Sequence, residues 1–459
     1  MDGPDIEDLP DDGSPYSLFS GSADLLEGLD AEESRNRLQG LLSEWLRIEN
    51  LVALLGAGCS VEYGGPLLSH LEEDVLNAVS ELGQAFGLAK PARDIVEDRR
   101  TAAPDASTFE PWLSALSTAR HAVSSPSPFV ELHTADRKEE EGARKAITSD
   151  MLSELSELIA TVAATRCSLE LPALDQDRAT AHHAFLAKLV ARDPTLGRAH
   201  VFTTNYDLLL EAAADDLRIR YANGFVGSVK QTFDSSAYAL DLYYPGEVAE
   251  GRVQRFDKFF HLYKLHGSVD WRREEQDQVI RLARQPGPLW TEWEELTSLQ
   301  KIERLRDSED GRLAILPTEG KYLESLGMPY AHLFRSFDLR LKTPQTFFLV
   351  IGYGFGDQHI NMLIDEALTN PGIVLLVVDP VGPESIRERL ARYQAAGERA
   401  FLLTEREEHR GKSPKVATFE DFSGNVMPHV RWLDDFLRLR RTEALIRSGS
   451  PRPPGNPDE

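Results

Sequence analysis

Short apolar runs alternate along this chain with polar turns and with segments whose apolar residues recur at helical spacing. The short runs predict buried strands, whereas recurrence at every third or fourth position predicts an amphipathic helix. Buried strands that alternate with helices are typical of a parallel sheet covered on both faces. The predicted strands are Leu51–Leu55, Ala199–Phe202, Phe259–Leu265, Leu313–Pro317, Thr346–Ile351 and Ile373–Val378.

We therefore predict an α/β fold, with a Rossmann-like parallel sheet flanked by helices. Two segments break the alternation and predict insertions: a helical one at about 85–165, and a highly charged, mostly helical one at about 272–306. Residues 1–20 are acidic and contain no Lys or Arg, which predicts a disordered tail. Residues 450–459 are rich in Pro and Gly and predict a second disordered tail. The intervening residues 21–449 are predicted to form one domain with these insertions.

Charge and cysteine content argue against several classes of protein. The formal net charge of -25 disfavours direct binding of a nucleic-acid backbone, which depends on Lys and Arg. The two cysteines, Cys59 and Cys167, are too few for a four-cysteine zinc module, and we expect no metal. No apolar run reaches the roughly 18 residues of a membrane helix. The acidic amino-terminal segment also differs from the basic start of a signal peptide, so we expect a cytoplasmic protein without membrane contacts.

A polar or glycine-rich turn follows each of four apolar runs. Ligands of open parallel sheets bind beyond the carboxyl ends of the strands. We therefore expect the four turns to line one cleft that holds a dinucleotide. The turns are Gly56–Ser60, Thr203–Asp207, Leu265–Ser268 and Gly352–Asp357.

The first turn has the composition of a phosphate-binding loop. Gly56 and Gly58 would let the backbone approach phosphates, and free N–H groups in this turn would take up their negative charge. Ser60 would either bond a phosphate or cap the following helix. Taken alone, the motif is equally typical of a tight turn between a strand and a helix.

The second and third turns carry the candidate chemistry. Asn205 offers both a donor and an acceptor for a ribose hydroxyl or a water, and Asp207 can accept from a carboxamide. The alternative is that Thr204 or Asn205 merely caps the next helix. His266 lies between a buried strand and a glycine, where it can accept a proton near neutral pH, although a single histidine is more often structural.

The fourth turn contributes glycines and three polar side chains. Asp379, at the end of the next strand, either reaches an adenosine ribose or simply terminates that strand before Pro380. The residues expected to bind the dinucleotide are Gly56, Ala57, Gly58, Ser60, Thr204, Asp207, Gly352, Gly354, Asp357, His359, Asn361 and Asp379.

These motifs, in this order, resemble the sirtuin fold, and more narrowly the bacterial sirtuin-like NAD hydrolases of antiphage defence. The resemblance covers roughly residues 50–380 and depends most on Thr203–Asp207 and Leu265–Gly267. It implies that Asn205 and His266 form the catalytic pair. It also implies that the first and fourth turns bind NAD.

The chain departs from the deacylase sirtuins, which carry a four-cysteine zinc module after the histidine. Here no cysteine follows Cys167. Deacylases also have a Pro-Asp-Phe-Arg segment after the glycine turn, where this chain has Pro66–Ser69. Both departures argue against an acyl-peptide substrate and leave NAD binding reasonable. Gly354 stands where many relatives have serine, which removes one phosphate contact.

The resemblance implies an enzyme that hydrolyses NAD, its substrate, at the nicotinamide–ribose bond, as an effector of antiphage defence by NAD depletion. His266 would act as general base, Asn205 would orient water or ribose, and Asp207 would hold the carboxamide. Two alternatives stay open: an NAD-dependent protein deacylase, and a non-catalytic assembly subunit that binds NAD or ADP-ribose. Because unrestrained NAD consumption would kill the host, restraint by a homo-oligomer or by a HerA-type ATPase partner is also implied.

Overall fold

The computed structural model describes residues 13–101, 109–124, 131–133, 146–174, 179–193, 195–244, 254–256, 258–274, 278–282, 293, 295–306, 312–314, 328–393 and 399–429. The strands are β1 (Tyr16–Ser20), β2 (Ala23–Asp24), β3 (Asn50–Leu55), β4 (Leu132–His133), β5 (Ala146–Ile147), β6 (Ala199–Thr203), β7 (Arg220–Ala222), β8 (Phe225–Val226), β9 (Gln231–Phe233), β10 (Tyr243–Tyr244), β11 (Gln254–Arg255), β12 (Phe259–Lys264), β13 (Gly267–Arg273), β14 (Val279–Arg281), β15 (Arg312–Ala314), β16 (Thr346–Ile351), β17 (Ile373–Val378) and β18 (Ala400–Glu405). The helices are α1 (Ala31–Trp45), α2 (Leu68–Leu82), α3 (Lys90–Thr101), α4 (Phe109–Val123), α5 (Ser149–Arg166), α6 (Ala181–Val190), α7 (Leu209–Asp216), α8 (Ser298–Arg306), α9 (Tyr330–Leu341), α10 (Gln358–Ala367), α11 (Glu384–Tyr393) and α12 (Phe419–Asp421).

A nine-stranded sheet runs through the centre of the fold in the order β2-β1-β18-β17-β16-β3-β6-β12-β7. Neighbouring strands from β18 to β7 are parallel. Strands β1 and β2 add an antiparallel edge. The predicted α/β fold with a parallel sheet flanked by helices is confirmed, and the antiparallel edge is an addition that the sequence did not predict.

Side chains of the central strands point alternately into two apolar layers. Leu51, Ala53 and Leu55 of β3 pack in the layer that contains α1 and α6. Val52 and Leu54 pack in the opposite layer, which contains α9 and α10. Because both faces of the strand are covered, every residue of the run is apolar and no polar alternation is seen.

The amino-terminal tail is shorter than the sequence predicted. Tyr16 and Leu18 of β1 are buried, and the Tyr16 hydroxyl donates a hydrogen bond of 3.0 Å to the carboxylate of Asp421. The prediction of a disordered tail through residue 20 is therefore wrong from β1 onward, because Tyr16 and Leu18, which follow the acidic segment, belong to the core. Residues 1–12 and the predicted tail at 450–459 lie outside the described residues.

A third apolar cluster is built by helices outside the central sheet. It contains α2, α3, α4, α5, α8 and the buried Trp293. The described part of the predicted insertion at about 85–165 consists of α3, α4, most of α5 and the short β4–β5 pair. Among the described residues, no helix is long and apolar enough to cross a bilayer.

The second predicted insertion, at about 272–306, begins as a hairpin instead of a helix. Strands β13 and β14 belong to a separate five-stranded sheet with the order β15-β13-β14-β9-β8. Trp271 and Val279 of this hairpin are buried in the same layer as α9 and α10. The sequence did not predict this burial, because most of the residues around them are charged. The predicted strand at Leu313–Pro317 is β15 of this smaller sheet, and its residues 315–317 lie outside the described ranges.

Candidate functional site

Four neighbouring strands bring the four predicted turns to one edge of the sheet. Strands β16, β3, β6 and β12 are adjacent and parallel, so their carboxyl ends lie side by side. Backbone hydrogen bonds continue the register into the turns: the Thr204 N–H donates to the Leu55 carbonyl at 3.1 Å, and the Leu265 N–H donates to the Thr203 carbonyl at 2.9 Å. The structure thus brings together the turns that the sequence assigned to one cleft.

The first and fourth turns pack backbone against backbone. The Gly56 N–H donates to the Ile351 carbonyl and the Gly58 N–H donates to the Gly352 carbonyl, both at 2.9 Å. A Cβ on Gly56 would overlap the Gly352 carbonyl oxygen, and one on Gly58 would lie 2.7 Å from the Gly352 Cα. These glycines are required by the close approach of two turns. The N–H groups of Gly56 and Gly58 both donate within the protein, so they do not belong to the free N–H groups expected in this turn.

The outer parts of these two turns are open. Gly354 and Gly356 are exposed, and a Cβ on either would meet no atom within 4 Å. Ala57, between the two packed glycines, is half-buried. The outer backbone of these turns is therefore accessible, whereas the inner glycines hold the turns together.

Ser60 bridges the first and second turns. Its buried hydroxyl donates to Asp207 Oδ2 at 2.7 Å and accepts from Asn205 Nδ2 at 2.8 Å. Asn205 Nδ2 also donates to the Gly56 carbonyl at 3.0 Å. Both N–H bonds of this amide are thereby directed into the protein, so the carbonyl oxygen is the part of Asn205 that can take up a water or a ribose hydroxyl. Ser60 makes no helix-capping bond with its side chain, contrary to one of its predicted roles.

A buried ion pair between Lys264 and Glu211 contacts the backbone of the second turn. Lys264 Nζ lies 3.1 Å from Glu211 Oε1, and both side chains are buried. The Lys264 ammonium also donates to the backbone carbonyl of Asp207. The side chain of Asp207 accepts through Oδ1 from the Leu209 N–H at 3.1 Å. Burial raises the pKa of Glu211, and the charge of Lys264 partly opposes this. Sequence reasoning missed this pair, although a lysine at the end of a mostly apolar, fully buried strand was the available signal.

His266, in the third turn, contacts a carboxylate of the fourth. His266 Nε2 lies 3.1 Å from Asp357 Oδ2, and both side chains are buried. The backbone reverses at Gly267, whose φ of 88° favours glycine. Asp357 begins α10, and its Oδ1 accepts from the N–H groups of His359 at 2.9 Å and Ile360 at 3.2 Å. The sequence identified both His266 and Asp357 as site residues but did not predict that they pair.

His359 and Asn361 support the fourth turn from the inside. Asn361 Nδ2 donates to the Phe355 carbonyl at 2.8 Å, and Asn361 Oδ1 accepts from the Tyr353 hydroxyl at 3.1 Å. These bonds help to hold Phe355 at a φ of 55°, which is uncommon for a bulky residue. The ring of His359 lies 4.6 Å from that of Phe334. Both predicted ligand-binding side chains therefore pack against the protein itself.

Asp379, after β17, makes a local turn. Its Oδ1 accepts from the N–H groups of Val381 at 2.9 Å and Gly382 at 2.7 Å. These bonds favour the alternative that Asp379 terminates the strand.

Tyr206 joins the site to the helical cluster that contains α2 to α5. Its carbonyl accepts from the Val269 N–H at 3.0 Å, and both side chains pack against the helical cluster. The Tyr206 ring centroid lies 6.3 Å from that of His266. Sequence reasoning missed this contact, because nothing in the spacing of the motifs indicates which side chain of a turn faces an insertion.

Neither cysteine has the properties of a nucleophile. Burial raises the pKa of the Cys59 thiol well above its usual range and raises that of Cys167 to about 12. In the part of the chain that the structure describes, no cluster of three or more His, Cys, Asp or Glu side chains is placed to hold a metal ion.

Comparison with protein families bears on the same turns. Residues 199–396 match the model of the SIR2-like domain family. The match includes the second, third and fourth turns and begins after the first. A search among curated proteins gives no significant match. Over residues 199–396, this chain is therefore similar to SIR2-like domains, a similarity that supports an NAD-related activity in general.

Proposed function

We propose that this protein is an NAD hydrolase that cleaves the bond between nicotinamide and ribose. The observation that carries the proposal is that Asn205 and His266 follow the carboxyl ends of the adjacent parallel strands β6 and β12, beside two glycine-rich turns. The SIR2-like match over residues 199–396 supports NAD as the substrate.

The open backbone of the first and fourth turns is suited to the pyrophosphate. Gly354 and Gly356 are exposed, and Ala57 faces the same edge of the sheet between the two packed glycines. Backbone N–H groups in such turns neutralise phosphate charge without a basic side chain. This arrangement is compatible with the strongly acidic composition of the chain.

The proposed reaction needs one water and one base. The C1′–N bond of NAD breaks and its electron pair leaves with nicotinamide, while the oxygen of water bonds to C1′ through an oxocarbenium-like transition state. The carbonyl oxygen of Asn205 orients this water or a ribose hydroxyl, and His266 accepts the proton that is released. Both oxygens of Asp207 accept hydrogen bonds within the protein, from Ser60 Oγ and from the Leu209 N–H, so Asp207 orders the turn that carries Asn205 and is not assigned to the carboxamide of nicotinamide. The products are nicotinamide, ADP-ribose and one proton.

The biological setting is a finer proposal that rests on the resemblance of the motifs. We propose a role in antiphage defence by NAD depletion, with the activity restrained by self-association or by a HerA-type ATPase partner. Light scattering of the purified chain with NAD present tests the first restraint. A monomer at all micromolar concentrations would contradict it.

The decisive experiment measures nicotinamide and ADP-ribose by chromatography after NAD is incubated with the purified protein. Asn205→Ala and His266→Ala should each lower the rate by ~10²–10⁴-fold, the usual contribution of general acid–base groups. His121→Ala is the matched control, because His121 is exposed on α4 and should leave the rate unchanged.

Two outcomes would overturn the proposal. A folded His266→Ala protein that cleaves NAD at the wild-type rate would exclude His266 as the base. A wild-type protein that binds NAD but never releases nicotinamide, even with a candidate partner added, would favour a non-catalytic binding subunit.

A further inference from the structure

The two carboxylate oxygens of Asp357 have different partners, so their roles can be separated. Asp357 Oδ1 accepts from two N–H groups in the first turn of α10, those of His359 and Ile360. Asp357 Oδ2 is directed to His266 Nε2, at 3.1 Å. A helix cap requires only the first oxygen. The second oxygen contacts the histidine of the third turn, which lies 91 positions earlier in the sequence.

We propose that Asp357 is a positioning residue for His266 and fixes which ring nitrogen acts as the base. This inference rests on the proposed NAD hydrolysis. An ionised carboxylate can only accept a hydrogen bond, so Nε2 carries the hydrogen and the lone pair of the neutral ring lies on Nδ1. Nδ1 then accepts the proton from water or from a ribose hydroxyl. The adjacent carboxylate stabilises the imidazolium that forms, as the third member of a nucleophile–base–carboxylate arrangement does.

The geometry favours this role over direct binding of NAD by Asp357. Both of its oxygens are engaged within the protein, and its side chain is only 8 % exposed. The α10 cap holds the carboxylate rigidly, so the ring of His266 is held in turn. Once His266 has accepted a proton, its attraction to the Asp357 carboxylate is strengthened by burial, because little water screens the two charges.

The first test separates the carboxylate from the cap. Asp357→Asn keeps an oxygen for the cap but presents an amide N–H to Nε2, and Asp357→Ser keeps the cap without reaching His266. Both variants should lower kcat by about 10²-fold or more while KM stays within about threefold, because the base is impaired and the substrate contacts are kept. Asp30→Asn is the control. Asp30 caps α1 through a 2.8 Å bond from the Glu33 N–H and should have no effect.

A double-mutant comparison distinguishes positioning from general support of the fold. If Asp357 acts through His266, then Asp357→Asn should change the residual rate of His266→Ala by less than about twofold. An equal loss in both backgrounds would show that Asp357 supports the turn without serving the histidine, and would overturn the proposal.

A second readout does not depend on activity. The wild-type protein labelled with ¹⁵N-histidine should show the His266 ring with its hydrogen on Nε2, the signal being assigned by its loss in His266→Ala. Asp357→Asn should shift this signal to the form with hydrogen on Nδ1. A wild-type ring with hydrogen on Nδ1 would refute the inference even if NAD is cleaved. The expected ring state in a protein that cleaves no NAD would refute only the proposed hydrolysis.

Discussion

Acidification should destabilise this protein, because histidines are buried within its core in the uncharged form. His261 on β12 lies with its ring 4.6 Å from that of His200, nearly parallel to it. Burial lowers the pKa of His261 to about 4, and the positive charge of Arg340 lowers it further in the same direction. His182 on α6 has its pKa lowered to about 4, again chiefly by burial.

The size of the effect follows from the difference between the folded and unfolded chains. In the unfolded chain these rings protonate near pH 6.5, the ordinary value for histidine. Between about pH 6.5 and pH 4 the unfolded chain therefore binds protons that the folded chain does not, so stability falls as the pH falls. At about 1.4 kcal/mol per pH unit, each histidine contributes a loss of about 3 kcal/mol across this range. Two such losses are comparable to the ~5–15 kcal/mol total stability of a typical protein.

The assay is urea unfolding at about pH 7 and about pH 5, with His261→Phe compared to wild type. Removing one titrating ring should reduce the loss between the two pH values by about 2 kcal/mol. His70→Phe, at an exposed position of α2, is the control and should leave the loss unchanged. Burial raises the pKa of Glu211 and of Asp421, which act in the opposite direction, but both carboxyls are common to all three proteins and cancel. An equal loss in wild type and His261→Phe would refute the reasoning.

Two further predictions concern stability. Deletion of residues 1–12 should leave the melting temperature nearly unchanged, whereas deletion through residue 20 should cost about 3–6 kcal/mol, because β1 buries two large side chains. A melting temperature that is the same for both deletions would contradict the core role of β1. Gly56→Ala should lower the melting temperature strongly, because its Cβ would overlap the Gly352 carbonyl, whereas Gly354→Ala, in open space, should not. Equal melting curves for the two alanine variants would show that the turns can separate at little cost.

The central strands and their turns could be predicted because their signals are local. An apolar run such as Ile373–Val378 followed by Asp379 and Pro380 carries its own beginning and end in the sequence. Strand β1 could not be predicted in this way. It has only five residues and follows directly on an acidic segment that contains Pro and Gly, and its partner β18 begins at residue 400.

In the candidate site too, residues could be identified from their local sequence, whereas their distant partners could not. The turns that hold Asn205 and His266 were visible as polar residues after apolar runs. Ser60 and Asp357 could be placed in the first and fourth turns, but their actual partners depend on which strands are neighbours. Distances of 2.7 Å and 3.1 Å between residues far apart in sequence follow from the strand order, which spacing alone does not determine.

The strand order also fixes when the site can exist during synthesis of the chain. The sheet inserts β16 beside β3, although 290 residues separate the ends of these strands in the sequence, from residue 55 to residue 346. A nascent chain that has emerged only through β13 has Asn205 and His266 but lacks Asp357 and Gly352, against which the first turn packs. Strands this far apart in sequence pair late in folding, because closing the loop between them costs entropy before the stabilising contacts form. Unfinished chains therefore lack a complete site, so any activity of this site begins only after nearly the whole sheet has been made.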